Sequence, residues 1–250
     1  MPLAPLSPQT FAFIAQVDEA YAALTAFAPH HGGHLLYAGE LNEPVRALTI
    51  AANIAGAATL TAATDAAAGK QALHDGIIDF LVTSLDEALR ILKNELRKHQ
   101  PAAVCVTASS GVIEAEMEAR GVLPDLAIAS AAHVACNAAR PPHIIDRLST
   151  SNGPAQTWLT WRVAESPALW LPKIDAIALA TLAPAEGPAR NWLQLAPRYL
   201  GRLATNTRIV HTTTEQAHRF IEQLRAELDI AAIPVRLEQG PWGDSKSIHL

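Results

Sequence analysis

Between residues 34 and 133 the chain alternates strand-like and helix-like segments four times, and this alternation constrains the fold more than any other feature. HLLYAG leads to the helical pattern PVRALTIAANIAG, AATLTAA to AAAGKQALH, GIIDFLV to SLDEALRILKNELRK, and AAVCV to SSGVIEAEMEAR, after which LAI starts a fifth strand. Strands joined by helices of this length lie parallel, because a parallel neighbour needs a long right-handed return path. Their largely apolar runs suit a sheet covered on both faces. The expected class is α/β: a Rossmann-like parallel sheet with helices on both faces, plus a C-terminal α/β extension.

The punctuation between segments supports this division. Over 11–28, Phe13, Ile14, Val17, Tyr21, Leu24 and Ala28 recur at helical spacing, so a helix precedes the turn HHGGH. Helices are predicted over 44–56, 66–74, 84–98 and 110–120, and strands over 58–63, 77–82, 103–106 and 126–128. Ser84 and Glu87 have the S-x-x-E spacing of a capping box, ahead of the stripe Leu85, Leu89, Leu92 and Leu96. Gly121 is placed to stop the last of these helices. Residues 1–136 are therefore one expected domain.

From residue 137 the character changes, because RPPH, SNGP and ESPAL are turn-forming and Trp158, Trp161 and Trp170 lie among them. Residues 137–172 are set apart as a linker or irregular excursion. Beyond it, 173–250 either completes the same sheet or forms a small second domain. IDAIALATL and RIV read as strands, NWLQLAPRYLGRL as a helix interrupted at Pro197, and 214–228 as a helix behind the capping pattern T-T-T-E. Residues 233–237 are placed to close a sheet, and EQGPWGDSKSIHL reads as a loosely held tail. Trp158 and Trp161, three apart, fit one helical face or a loop cluster, more simply as a small core than as a ligand platform.

Composition removes several function classes. With 24 acidic and 19 basic side chains the net charge is -5, so neither nucleic acid nor an anionic membrane is an expected partner. No apolar run reaches the ~20 residues that span a bilayer. The proline-broken start MPLAPLSPQTFAFIAQ does not read as a signal peptide. Cys105 and Cys136 form no CxxC pair and fit buried thiols in a reducing, cytoplasmic setting.

The chemistry-bearing motifs are sparse. HHGGH at 30–34 lacks a completing Cys, Asp or Glu, and the glycines mark a turn, so no metal site is expected there. His211, Glu215 and His218 approach helical spacing, but a capping box over 212–215 puts His211 ahead of the helix. G-x-S-x-G, H-E-x-x-H and G-x-x-x-x-G-K-[ST] are all absent. The turn after the first strand, ELNEPVR, is the position that presents phosphate in nucleotide-binding α/β proteins, yet it has no glycine between Gly39 and Gly56.

HHGGHLLYAGEL, NIAG, GIIDFLVTSLDEAL and AVCVTASSGVIEAEMEARGVLPDL, in this order, make the segment over 11–133 resemble the central dinucleotide-binding portion of urocanase, the urocanate hydratase of histidine breakdown. The resemblance implies a tightly bound NAD whose nicotinamide adds to the substrate imidazole, and a homodimer. Urocanases are much longer, and a second domain helps form their active site. The likeness is not evident after Asn137, and the family's catalytic cysteine region has no counterpart, so no catalytic residue is assigned.

The departures fall where that family holds NAD. Its GGMSGAQ-type loop aligns with Asn42, Glu43, Pro44, Val45, Arg46, Ala47 and Leu48, which contain no glycine to let a pyrophosphate approach the backbone. Glu43 repels phosphate, and Arg46, placed to attract one, is more simply a solvated side chain. The ribose-binding acid aligns with Ala63 and a nearby arginine with Ala68, while Asp65 reads more simply as an N-cap than as a displaced substitute. The GNAAE-type turn becomes Ala108, Ser109, Ser110, Gly111 and Val112; the QTSAH-type motif becomes Ala129, Ser130, Ala131, Ala132 and His133. Ser109, Ser110, Gly111, Ser130 and His133 are thus the ligand-binding candidates. The plainer counterparts are ordinary capping of the following helix for Ser109, Ser110 and Gly111, and a hydrogen-bonded packing residue for His133.

Two functions remain. The favoured one is a urocanase-related protein without NAD or another cofactor, acting as a non-catalytic subunit that binds a small molecule or assembles with a protein. The alternative is a divergent hydratase or lyase of the urocanase type on a small imidazole or carboxylate, with NAD as its cofactor.

Overall fold

A computed structural model describes residues 7–129, 142–145, 157–228, 235–240 and 246–248. The chain divides into two compact units: Ala15–Thr150, and Met1–Ile14 together with Ser151–Leu250. Helix α1 (Pro8–Phe27) contributes its start to the second and its remainder to the first.

The first unit is a six-stranded parallel sheet. In chain order it contains β1 (Leu35–Glu40), α2 (Glu43–Ala55), β2 (Ala58–Ala62), α3 (Ala66–His74), β3 (Phe80–Val82), α4 (Leu85–Arg97), β4 (Ala103–Val106), α5 (Ser110–Ala119), β5 (Leu126–Ile128) and β6 (His143–Ile145). The strand order is β3-β4-β2-β1-β5-β6, and each neighbouring pair is parallel. Leu35 and Tyr37 of β1 join Leu60, Val104 and Val106 in a core closed by Leu85 and Leu92 of α4 and Ile113 and Met117 of α5. Leu36 and Ala38 point the other way by the strand pleat and are equally buried, so the sheet is covered on both faces. The expected Rossmann-like α/β class is the observed one.

Local differences have local causes. Strand β3 starts at Phe80 and not at Ile77, because the Ile77 N–H bonds to the Ala72 carbonyl and finishes the exit from α3, with Gly76 at φ +74°. Asp79 then enters the sheet edge, its carboxylate accepting from the Ala103 N–H at 2.7 Å. Ile77 and Ile78 remain buried, which is why their apolar character looked strand-like.

The second unit holds β7 (Thr157–Val163), α6 (Pro167–Thr181), α7 (Pro188–Tyr199), a 3-10 turn at Gly201–Ala204, β8 (Thr207–Thr212), α8 (Thr214–Glu227), β9 (Val235–Gly240) and β10 (Lys246–Ile248). Its four strands form a separate antiparallel sheet in the order β10-β9-β7-β8. The described residues of 137–172 include β6, the interior strand β7 and the start of α6. All of β7 is buried, so it shows no apolar–polar alternation that would have marked it.

Three sequence expectations are corrected in this unit. IDAIALATL lies in α6 and is helical, because a continuous apolar run has no period that separates a buried strand from a buried helix. Pro197 does not interrupt α7 but sits in its last turn. The presumed tail is paired: Lys246, Ser247 and Ile248 lie antiparallel to Gln239, Glu238 and Leu237.

Trp158 and Trp161 sit on a strand, neither on a helix nor in a loop, and three residues apart they face opposite sides of it. Trp158 meets Phe11 edge-on at 5.9 Å and stacks on its cross-strand neighbour His211 at 4.1 Å. Trp161 packs on Phe220 of α8 and donates its indole N–H to Asp175.

Candidate functional site

The strand order reverses direction at β1: the chain first builds outward through β2, then returns to place β5 on the other side. In open α/β sheets ligands bind at the carboxyl ends of the strands beside such a reversal. The residue standing there is Glu40, the last of β1. Gly39 before it has φ +70°, a conformation that glycine adopts without strain, and the register with β2 shifts between Tyr37 and Glu40. This bend directs the Glu40 side chain across the strand ends. Its Oε1 accepts from the Thr64 N–H at 2.7 Å and its Oε2 from the Ser110 N–H at 3.2 Å. A single carboxyl group thus ties the exit of β2 to the N-terminus of α5.

The start of α2 is similarly occupied by its own residues. Asn42 is the N-cap: its side chain accepts from Val45 N–H at 3.1 Å and its carbonyl from Arg46 N–H at 2.9 Å. The Asn42 N–H itself goes to the Glu40 carbonyl, and Pro44 has no N–H. Among the first amides of the helix this leaves that of Glu43, which carries an exposed acidic side chain. Arg46 faces away to an ion pair with Asp75 at 2.6 Å, whose other oxygen accepts from Gln71. It is a paired side chain and not the solvated one expected.

At the head of α3, Asp65 accepts from the Ala67 N–H at 2.8 Å, the expected N-cap. Ala63 is buried, its N–H bonded to the Val106 carbonyl. At α5, Ser109 holds the N-cap position without a side-chain capping bond, so the plain capping role does not account for its hydroxyl. Gly111, in the first turn of the helix, opens onto free space. Ser109, Ser110 and Gly111 are therefore brought together beside Glu40. Ser130 and His133 lie outside the described residues, as does Cys136.

Beneath this rim, the buried Tyr37 hydroxyl donates to Glu114 Oε1 at 3.0 Å and, at 3.4 Å, to the Ser110 carbonyl. Burial, with the adjacent Glu114 carboxyl, pushes the Tyr37 phenol far above its ordinary range. It is a fixed donor at neutral pH. Burial also raises the Cys105 thiol, which suits a packing residue and not a nucleophile. Sequence reasoning missed Glu40 and Tyr37. The available signal was an acid directly after Gly39 at the end of an apolar strand, but its two partners lie 24 and 70 residues away.

Among the described residues no group of three or more His, Cys, Asp or Glu is arranged to hold a metal ion. His211 lies in β8 ahead of α8, whose capping box is Thr213 with Gln216, one residue beyond the Thr212–Glu215 spacing expected. Among the described residues no helix is long and apolar enough to cross a membrane. A family model described as the urocanase Rossmann-like domain matches residues 20–146, a span containing the whole site described above.

Proposed function

This chain belongs to the urocanase family through its Rossmann-like domain, and on that premise we propose that it is a cytoplasmic, non-catalytic binding or assembly subunit that does not hold NAD. Binding of NAD is associated with this domain in the family. What supports its loss here is a mismatch between the rim and a pyrophosphate. The observation that carries the reading is Glu40, whose carboxyl group sits across the strand ends and takes the Ser110 N–H at the head of α5 and the Thr64 N–H at the exit of β2, placing a fixed negative charge where a phosphate would lie. Asn42 and Pro44 remove the next donors, and Arg46 is engaged by Asp75. Ala63 and Ala68 offer nothing to a ribose hydroxyl. A carboxyl group already seated on these amides competes with a second anion both for hydrogen bonds and by charge. The partner is a small molecule or a protein and neither nucleic acid nor membrane, in keeping with the net charge of -5, and the assembly is a homodimer, as commonly found for soluble proteins.

The direct test is native mass spectrometry of protein purified without added cofactor. The expected result is the mass of the polypeptide alone. Stoichiometric NAD would overturn the proposal.

A second reading has one observation in its favour: Ser109 without a capping bond and the open Gly111 head α5, a helix terminus able to receive a small carboxylate. On this reading the protein is a divergent hydratase or lyase for a small imidazole or carboxylate. Urocanate, histidine and related acids would then raise the melting temperature, since a ligand at 100 times its Kd stabilises by about 2.7 kcal/mol. No shift with any member of such a panel counts against it.

A further inference from the structure

Five of the ten histidines of the chain, His30, His31, His34, His99 and His143, gather where α1 ends and β1 begins. His31 is at the centre and has no exposed surface. Its N–H bonds to the Ala55 carbonyl at the end of α2, and its Nε2 lies 2.9 Å from the Leu24 carbonyl in the last turns of α1. A carbonyl only accepts, so Nε2 carries the hydrogen and Nδ1 holds a bare lone pair. That Nδ1 is buried without a hydrogen-bond partner, and so is Nδ1 of His34, whose ring meets His31 edge-on at 5.6 Å.

A second proton on His31 therefore has no acceptor to face, and the charge would be buried. The groups around it make this worse. The turn supplies His30 and His34, and β6 supplies His143, which stacks on Phe27 at 3.8 Å while Phe27 in turn stacks on His31 at 5.9 Å. From the end of α4, His99 reaches the Gly32 carbonyl through Nδ1. Helices α1 and α2 contribute backbone carbonyls, and the last turn of α1 has no basic side chain of its own. Of the acids at this end of the sheet, Asp125 is engaged by the Leu35 N–H and Asp79 by the Ala103 N–H. Burial is the main cause that holds the His31 imidazole below its ordinary range, with the neighbouring histidines adding to it against the Leu24 hydrogen bond.

We propose that His31 is a proton-sensitive latch, which when neutral ties the C-terminal turn of α1 to the end of α2 and when protonated releases that turn. The sign follows from linkage. The released state takes up the proton more readily than the latched one, so the latch is at full strength above about pH 6.5 and weakens progressively as pH falls below it. The inference is independent of whether the domain binds NAD.

The test is hydrogen exchange on the full chain at pH 7.5 and 5.5, expressed as protection factors so that the intrinsic pH dependence is removed. In the unmodified protein, protection over residues 24–28 is expected to fall at the lower pH, by up to about tenfold for one titrating group, while α2 keeps its protection. His31→Gln retains an N–H donor for Leu24 but does not titrate, and is expected to hold its protection at both values. An equal loss in His31→Gln, or no loss in the unmodified protein, overturns the proposal. The unmodified protein also supplies a measurement that needs no variant: the NMR titration of the His31 ring. A midpoint at or above the ordinary histidine value overturns the latch as well.

Discussion

Glu40 shows how much a single side chain decides at the rim of the parallel sheet. Replacing it by Ala leaves the Thr64 and Ser110 N–H groups without their acceptor, with an expected loss of about 1–3 kcal/mol in urea unfolding. If the carboxyl group stands in for an anion, added acetate or phosphate restores part of that loss in Glu40→Ala at matched ionic strength and does nothing for the parent. Equal salt effects on both proteins would refute the stand-in. Asp175 has a comparable role in the antiparallel unit, where it accepts from the Trp161 indole and from Arg208 at 3.0 Å. Burial raises its carboxyl pKa despite Arg208, so the site depends on all three partners. Asp175→Ala is expected to cost about 2–4 kcal/mol, measurable by denaturant unfolding. None of these contacts was legible beforehand. Glu40 and Asp175 are plain in the chain, but residue identity says nothing about which distant N–H groups arrive beside them.

At the scale of elements the chain was far more readable, because caps and turns are written in neighbouring residues. Asp65 and Ser84 cap α3 and α4 where their spacing placed them. In a run of three threonines the box could settle at more than one of them, and Thr213 takes it because Gln216 returns the hydrogen bond. Asn42→Ala removes the cap of α2 and is expected to lower stability by about 1 kcal/mol in thermal unfolding. Gly56, which ends that helix at φ +90°, tolerates substitution less well. An added Cβ would lie 2.6 Å from the His30 ring as well as straining the backbone, so Gly56→Ala is expected to cost about 1–3 kcal/mol by the same measurement. The elements misread, α6, β7 and β10, share a different trait. Their character comes from burial or pairing and not from a local signal: α6 is largely apolar, β7 is buried along its length, and β10 is three residues whose partner is β9.

At the scale of the molecule, the second unit is discontinuous, drawing Met1–Ile14 to Ser151–Leu250. Phe11 packs on Trp158 inside that unit, so Phe11→Ala is expected to shift tryptophan emission and to destabilise the unit by about 1–3 kcal/mol. An unchanged spectrum and transition would show that the N-terminal residues add nothing to it. Such a pairing across the length of the chain has no local signature. The sequence by itself determined the parallel α/β character of the first unit, its helix boundaries to within a few residues, and the family likeness, because periodicity, caps and apolar runs are local consequences of backbone geometry. Tertiary structure alone decided that β4 lies between β3 and β2, that the C-terminal strands form their own antiparallel sheet, and that Glu40 bridges two segments at the reversal. Those outcomes depend on which surfaces meet, and strands of similar apolar content can pair in several orders until whole faces are packed.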